Sequence, residues 1–236
     1  MLDLIFCILF GYLLGSVNPA YIIGRIKGTD IRRHGSKNAG ASNALLLLGK
    51  FAAVFSALFD ICKAAVACRL AALLFPRLSL AREIAGAFAI IGHICPFYMN
   101  FRGGKGTACF GGVLLAIDWR LLLILLAAEL VLVLITDYLC VMPITAACIF
   151  PVLYGVLGDS GIGWLLHGSG GWAGACVLAV AMLAILGANV HNIRRLIHGT
   201  ELRFSYLWRK DREAEVARVR ENEARWEAQK QRERVG

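Results

Sequence analysis

Residues 34–43 read HGSKNAGASN, a polar, glycine-rich decapeptide in a chain that is 58% hydrophobic. Such a stretch cannot build a core, but it can hold an anion. Glycines let the backbone approach a ligand closely, and successive N–H groups form an anion-binding concavity. Gly35, Ser36, Asn38, Gly40, Ser42 and Asn43 are therefore candidate ligands for a phosphate. The apolar run that follows predicts a helix, and a helix N-terminus also favours phosphate. No Gly-Lys-[Ser/Thr] ending is present, so this is not a nucleotide P-loop. Taken alone, the stretch is explained equally well as an interfacial loop with a helix N-cap at Ser42 or Asn43.

Residues 101–107, FRGGKGT, repeat the theme. Gly103, Gly104 and Gly106 surround Lys105 and again lead into an apolar helix. A lysine at a membrane surface commonly snorkels. Two glycine-rich basic loops on one side of a membrane point instead to a single site for one or two phosphate groups. A third stretch, residues 189–201, reads NVHNIRRLIHGTE. Arg194 and Arg195 read as an interfacial anchor and Gly199 as a helix C-cap. That explanation leaves His191, Asn192 and Glu201 unaccounted for.

Other catalytic schemes lack their residues. The His-x4-Asp dyad of common lipid acyltransferases fails, since five positions after His34 stands Ala39 and after His93 stands Tyr98. No G-x-S-x-G elbow occurs. No carboxylate cluster suits Mg2+, which argues against a nucleotide kinase or a CDP-alcohol transferase. The eight cysteines form no C-x-x-C pair and read as small buried hydrophobes, so no metal site and no cofactor are expected. What remains is a set of donors and cations able to stabilise phosphates, without an evident protein nucleophile.

The elements that must position these residues are membrane helices. Mean hydropathy is +0.66, and the apolar residues gather in runs at 1–24, 51–75, 84–99, 121–135, 139–157 and 172–190. A span needs roughly 20 apolar residues; 106–117 is counted as a short seventh helix. The first run has no basic n-region and no A-x-A site, so it reads as a span rather than a cleaved signal. Six Lys/Arg lie in 24–50, two in 100–106 and twelve after Val190, against none in 158–171. The positive-inside rule then places the three polar stretches and the C-terminus in the cytoplasm and the N-terminus outside. The formal charge of +9 follows from this topology and from anionic lipid headgroups, with no nucleic-acid partner needed. Asp60 and Lys63, spaced i,i+3 inside a span, share one helical face where they can pair, and such intramembrane charges read as structural glue between helices. The expected organisation is a transmembrane domain over 1–207 and a charged, helical cytoplasmic tail over 208–236.

With their flanks, these stretches resemble the integral-membrane acyl-phosphate:glycerol-3-phosphate acyltransferases of bacteria, the PlsY family. The matching pieces are GSVNPAYIIGRIKGTDIRRHGSKNAGASNALLLLGK, DICKA, GHICPFYMNFRGGKGTA and NIRRLIHGTE, in the family's order. The resemblance implies an all-α polytopic membrane protein of about seven transmembrane helices, with the active site at the cytoplasmic face of the bacterial inner membrane. It implies transfer of a fatty acyl group from acyl phosphate to the 1-hydroxyl of glycerol 3-phosphate, giving lysophosphatidic acid and phosphate for phospholipid biosynthesis. An acyl-phosphate-producing enzyme and membrane lipids are the implied partners.

In that picture Ser36 and the 35–40 glycine loop hold the acyl phosphate, Lys105 neutralises developing charge, and Asn192 donates from the opposite wall. The remaining candidates, Gly35, Asn38, Gly40, Ser42, Asn43, Gly103, Gly104, Gly106, His191, Arg194 and Glu201, contact substrate. Three positions depart from the family pattern: Leu46 replaces an arginine, Asn189 a histidine and Cys140 a serine. They lie towards the acceptor. Two further readings stand beside this one: the same donor with a different small acceptor, and a non-catalytic anion-binding or transport relative. Transport needs a solvated path to both faces, whereas the polar residues here concentrate on one.

Overall fold

Inside hydrocarbon every backbone N–H and C=O must find a partner within the chain, so apolar runs resolve into helices. The computed structural model describes residues 1–159, 170–207, 215, 217–222 and 224–226, and no strand occurs among them. The helices are α1 (Leu2–Ser16), α2 (Pro19–Ile26), α3 (Ala41–Leu48), α4 (Lys50–Leu74), α5 (Ala81–Ile94), α6 (Thr107–Ile117), α7 (Trp119–Thr136), α8 (Val141–Asp159) and α9 (Gly171–Ile197). Short 3-10 turns lie at Ile31–Arg33, Phe97–Met99 and Phe204–Leu207.

α4, α7, α8 and α9 are each long and apolar enough to cross a membrane, and α1 with α2 passes as a pair bent by 42°. The expected count of about seven is reached only if α5 and α6, at 14 and 11 residues, are included.

Two expected spans are redrawn. The run at 1–24 is two helices, because Asn18 accepts a capping hydrogen bond from Tyr21 N (2.9 Å) and Pro19 starts α2. The polar backbone freed by the break is satisfied by Tyr98, whose Oη donates to Ser16 O (2.8 Å) and accepts from Asn18 N (3.1 Å). The run at 84–99 starts earlier, at Ala81, and ends at Ile94, ahead of Pro96. α9 runs on past Val190 to Ile197, carrying the third polar stretch out on a helix. Most of the 158–171 connection, residues 160–169, lies outside the described residues. So does much of the 208–236 tail; its described positions 215, 217–222 and 224–226 are helical.

Helices in lipid associate by close packing rather than by the hydrophobic effect, which favours small residues at their seams. Gly11 and Gly15 of α1 press on Ala85 and Ala89 of α5 so closely that a Cβ at either glycine would overlap backbone. α6 sits in the middle of the bundle, with Phe110, Val113 and Leu114 buried among Phe150, Leu178 and Ile185. α7 is peripheral, burying only Leu121 and Val133.

One polar knot crosses this apolar interior. Lys63 Nζ lies 2.7 Å from Asp60 Oδ1 and 3.1 Å from His93 Nδ1, and His93 Nδ1 lies 3.3 Å from Asp60 Oδ1. Lys63 also donates to Val17 O, at the α1–α2 break. The ion pair expected from the i,i+3 spacing is thus present, and it joins α4, α5 and the break. Ligand-type atoms of Asp60, His93 and Cys109 lie within 4.8 Å of one another, but the cation among them is the Lys63 ammonium.

Candidate active site

The knot supports the second glycine loop from below. Gly103 N donates to Ile94 O (2.9 Å) and Gly104 N to His93 O (3.0 Å). A Cβ on Gly104 would overlap the His93 ring, so only glycine lets the loop lie against it. Asn100 and Phe101, both at left-handed φ, turn the chain tightly before Lys105.

The first loop lies on the second: Ala39 N donates to Gly103 O (3.4 Å), and Asn18 Nδ2 donates to Ala39 O (2.9 Å). Asn43 organises it from inside. It is 1% exposed; its Nδ2 donates to Ile31 O, His34 O and Asn38 O, and its Oδ1 accepts from Ser36 N. Asn43 therefore faces the loop's own backbone, away from where a ligand would bind. The amides of Ser36, Lys37 and Ala39 are likewise engaged within the protein. Within this stretch the amides left without a partner among the described residues are those of Gly35, Asn38, Gly40, Ala41 and Ser42. The last three gather at the start of α3, whose N-cap is Gly40 rather than Ser42 or Asn43.

A cavity of about 670 Å³ opens where the three stretches meet. Ser36, Asn38, Ser42, Lys105 and Thr107 form one wall, and Asn189, Asn192, Arg195, Thr200 and Glu201 another. Leu139, Cys140, Met142 and Pro143 give it an apolar side, and Val219 and Arg220 approach from the C-terminal segment. Lys105 is half-buried and makes no hydrogen bond or ion pair with a described residue. Burial, and then the Arg195 guanidinium, lower its pKa below the ordinary lysine value. A phosphate bound there would supply the missing counter-charge.

The second wall follows from helical spacing. Asn189, Asn192 and Arg195 recur every three residues along one face of α9. Asn192 Nδ2 donates to Asn189 Oδ1 (3.2 Å), and Arg195 Nη2 donates to Asn192 Oδ1 (2.8 Å). Arg195 Nε also lies 2.7 Å from Glu201 Oε2.

Of the candidates named from sequence, Ser36, Asn38, Ser42, Lys105, Asn192 and Glu201 line the cavity. Gly35, Gly40, Gly103, Gly104 and Gly106 shape its loops without lining it, and His191 and Arg194 are exposed off the lining face of α9. Thr107, Arg195 and Thr200 line it and were missed; extending the α9 period beyond Val190 would have found Arg195. Of the three departures, Asn189 and Cys140 line the cavity, whereas Leu46, 71% exposed on α3, does not.

Comparison with known proteins gives a consistent picture. The family model for glycerol-3-phosphate acyltransferase matches residues 5–199. A glycerol-3-phosphate acyltransferase of Brucella canis is 34% identical over 199 residues, covering 84% of this chain and 92% of the relative. One from Albidiferax ferrireducens is 36% identical over 210 residues, covering 87% and 91%. Glycerol-3-phosphate acyltransferase 1 of Oceanobacillus iheyensis is 41% identical over 140 residues, covering 56% and 68%. The crystal structure of PlsY, an integral membrane glycerol 3-phosphate acyltransferase, superposes in its glycerol 3-phosphate form with a TM-score of 0.72 at 30% identity, covering 86% of this chain and 96% of that one. Its lysophosphatidic acid form gives 0.70 at 29% identity. With its family model spanning most of the chain and its helices arranged as in a multi-pass membrane enzyme, this protein belongs to the glycerol-3-phosphate acyltransferase family.

Proposed function

We propose that this chain transfers a fatty acyl group from an acyl phosphate to the 1-hydroxyl of glycerol 3-phosphate, releasing lysophosphatidic acid and inorganic phosphate. The observation that carries this reading is Lys105, a partly buried cation with no partner among the described residues, at a cavity that three polar stretches share.

An acyl phosphate is a mixed anhydride and already activated, so no acyl-enzyme is needed. The acceptor hydroxyl attacks the carbonyl carbon, the carbonyl–phosphate bond breaks, and the departing phosphate takes the hydroxyl proton. The protein's task is then to hold two anions together in reacting geometry and to neutralise charge as it moves onto the leaving oxygen. The free amides at Gly40, Ala41 and Ser42, the Ser36 hydroxyl and Lys105 suit the donor's phosphate. Asn192, held by Asn189 and Arg195, keeps one N–H available from the opposite wall.

The purified protein, given palmitoyl phosphate and glycerol 3-phosphate, is expected to form lysophosphatidic acid and phosphate in equal amounts. Phosphate release only with some other alcohol would instead support an altered acceptor, and no release with any alcohol a non-catalytic relative.

The same reading puts the 1–207 domain in the bacterial inner membrane, with the N-terminus outside and the cavity and the 208–236 tail in the cytoplasm. In a cysteine-depleted background, single cysteines at positions 37 and 105 are expected to react with impermeant reagents from the cytoplasmic side. Labelling of the two from opposite faces would remove the single-site argument.

A further inference from the structure

The C-terminal segment reaches the cavity, although it lies beyond the residues that the family model matches. It is fastened there. Arg218 donates to Gly199 O (2.7 Å) and Glu201 O (2.8 Å), and Asn222 Nδ2 to Gly199 O (2.8 Å). Glu215, 6% exposed, accepts from Arg203 N (3.0 Å) and pairs with Arg218 (2.6 Å). Trp226 stacks on His198 with ring centres 4.5 Å apart. These contacts hold the segment on the loop that carries Glu201, and they bring Val219 and Arg220 to the cavity.

The charges around the cavity bear on the role of Arg220. A phosphate monoester carries roughly −1.5 to −2 at neutral pH, and the reaction brings two phosphates together. Among the described lining residues the cations are Lys105, Arg195 and Arg220. Arg195 is already balanced by Glu201 at 2.7 Å. Lys105 alone cannot neutralise two phosphates. Arg220 is exposed and has no hydrogen bond or ion pair with any described residue, so its guanidinium remains to be satisfied.

Arg220 is exposed to solvent and is carried by the C-terminal segment rather than by either glycine loop. The acyl donor is anchored by its chain in lipid, whereas glycerol 3-phosphate arrives from water. We propose that Arg220 is a ligand for the phosphate of the acceptor, so that the C-terminal helical segment completes the acceptor site. This rests on the acyl-transfer reading above. A guanidinium is suited to the task because its donors match two phosphate oxygens at once.

The test uses the full chain in detergent. Calorimetry with glycerol 3-phosphate, which needs no acyl donor, is expected to show binding weakened about tenfold to a hundredfold in Arg220→Gln, the range for losing one charge-assisted pair. Arg220→Lys should fall between the two. In steady-state assays the KM for glycerol 3-phosphate should rise by a similar factor, with kcat changed less than about threefold and the KM for palmitoyl phosphate unmoved. Thermal stability should not change, because the side chain is exposed and has no partner among the described residues. Unaltered glycerol 3-phosphate affinity in Arg220→Gln, a rise in the donor's KM instead, or a wild type that does not bind glycerol 3-phosphate would each overturn the assignment. A wild type that binds glycerol 3-phosphate but transfers no acyl group defeats the acyl-transfer reading, while the calorimetry still decides on Arg220.

Discussion

Lys105→Ala should lose acyl transfer by about 10²–10³-fold or more, because a preorganised cation aimed at developing charge contributes that much in a water-poor site. Lys105 has no described protein partner, so its loss leaves the surroundings intact, and the protein should remain folded while its rate collapses. Lys105→Arg should recover only part of the rate, since the glycine loop leaves room for a compact ammonium rather than a planar fork. The two variants also separate in pH dependence. The protonated amine is the active form, and burial with Arg195 lowers its pKa. In the free enzyme kcat/KM should therefore be full at lower pH and fall as pH rises through that lowered value. In Lys105→Arg this alkaline limb should disappear, because a guanidinium does not deprotonate in the working range. Near-normal turnover by Lys105→Ala would reduce Lys105 to a snorkelling anchor.

Asp60→Ala should be strongly destabilising. Lys63 and Asp60 have side chains 3% and 4% exposed, so the variant strands an ammonium in the bundle. Breaking a buried pair by removing one partner costs about 3–5 kcal/mol. For a chain of this size that is a fall on the order of 10 °C in the unfolding midpoint, readable by thermal denaturation in detergent. The double change Asp60→Ala with Lys63→Met should cost less than Asp60→Ala alone, since no charge is then stranded. An Asp60→Ala protein as stable as its parent would show that the knot does not hold α4, α5 and the α1–α2 break together.

Much of the site was legible because its chemistry is local. Glycine, lysine and small hydroxyls in a short polar run have few other uses in a chain this apolar, and both loops were placed on one cavity by that argument. The features that escaped are those that depend on direction. The Asn18-Pro19 pair is a helix-start signal, an N-cap followed by proline at N1, but the apolar residues on either side hid it inside one run. The apolar run stops at Val190, so it does not by itself select the face of α9 beyond that point. Continuing the helix selects Asn189, Asn192 and Arg195, and turns His191 and Arg194 off the lining face. Asn43 was placed among the ligands because its residue type suits an anion; its four hydrogen bonds to the loop's own backbone became visible only once the loop was folded. The docking of the C-terminal segment carries no local signal, because it rests on pairs such as Arg218 with Glu201 O and His198 with Trp226 that join distant parts of the chain.

The shortness of α6 fixes how deep the reaction lies. Eleven residues rise about 17 Å, whereas the hydrocarbon layer is roughly 30 Å thick. α6 is capped at its C-terminal end by Asp118, with Arg120 two residues on, and charges of that kind belong at a membrane interface. Its other end, and Lys105 with it, then lies about 13 Å short of the opposite edge of the hydrocarbon. The bilayer has little reason to thin around α6, because its neighbours bury it and lipid hardly touches it. On the proposed reading the cavity is therefore a recess that carries water down towards the acyl carbonyl, rather than a platform to which the lipid is raised. Each methylene lifted into water costs about 0.8 kcal/mol, so extracting a whole chain would cost more than most sites could return. Here the tail stays in oil while the polar acceptor descends to meet it, and the product, still anchored, can leave sideways into the leaflet.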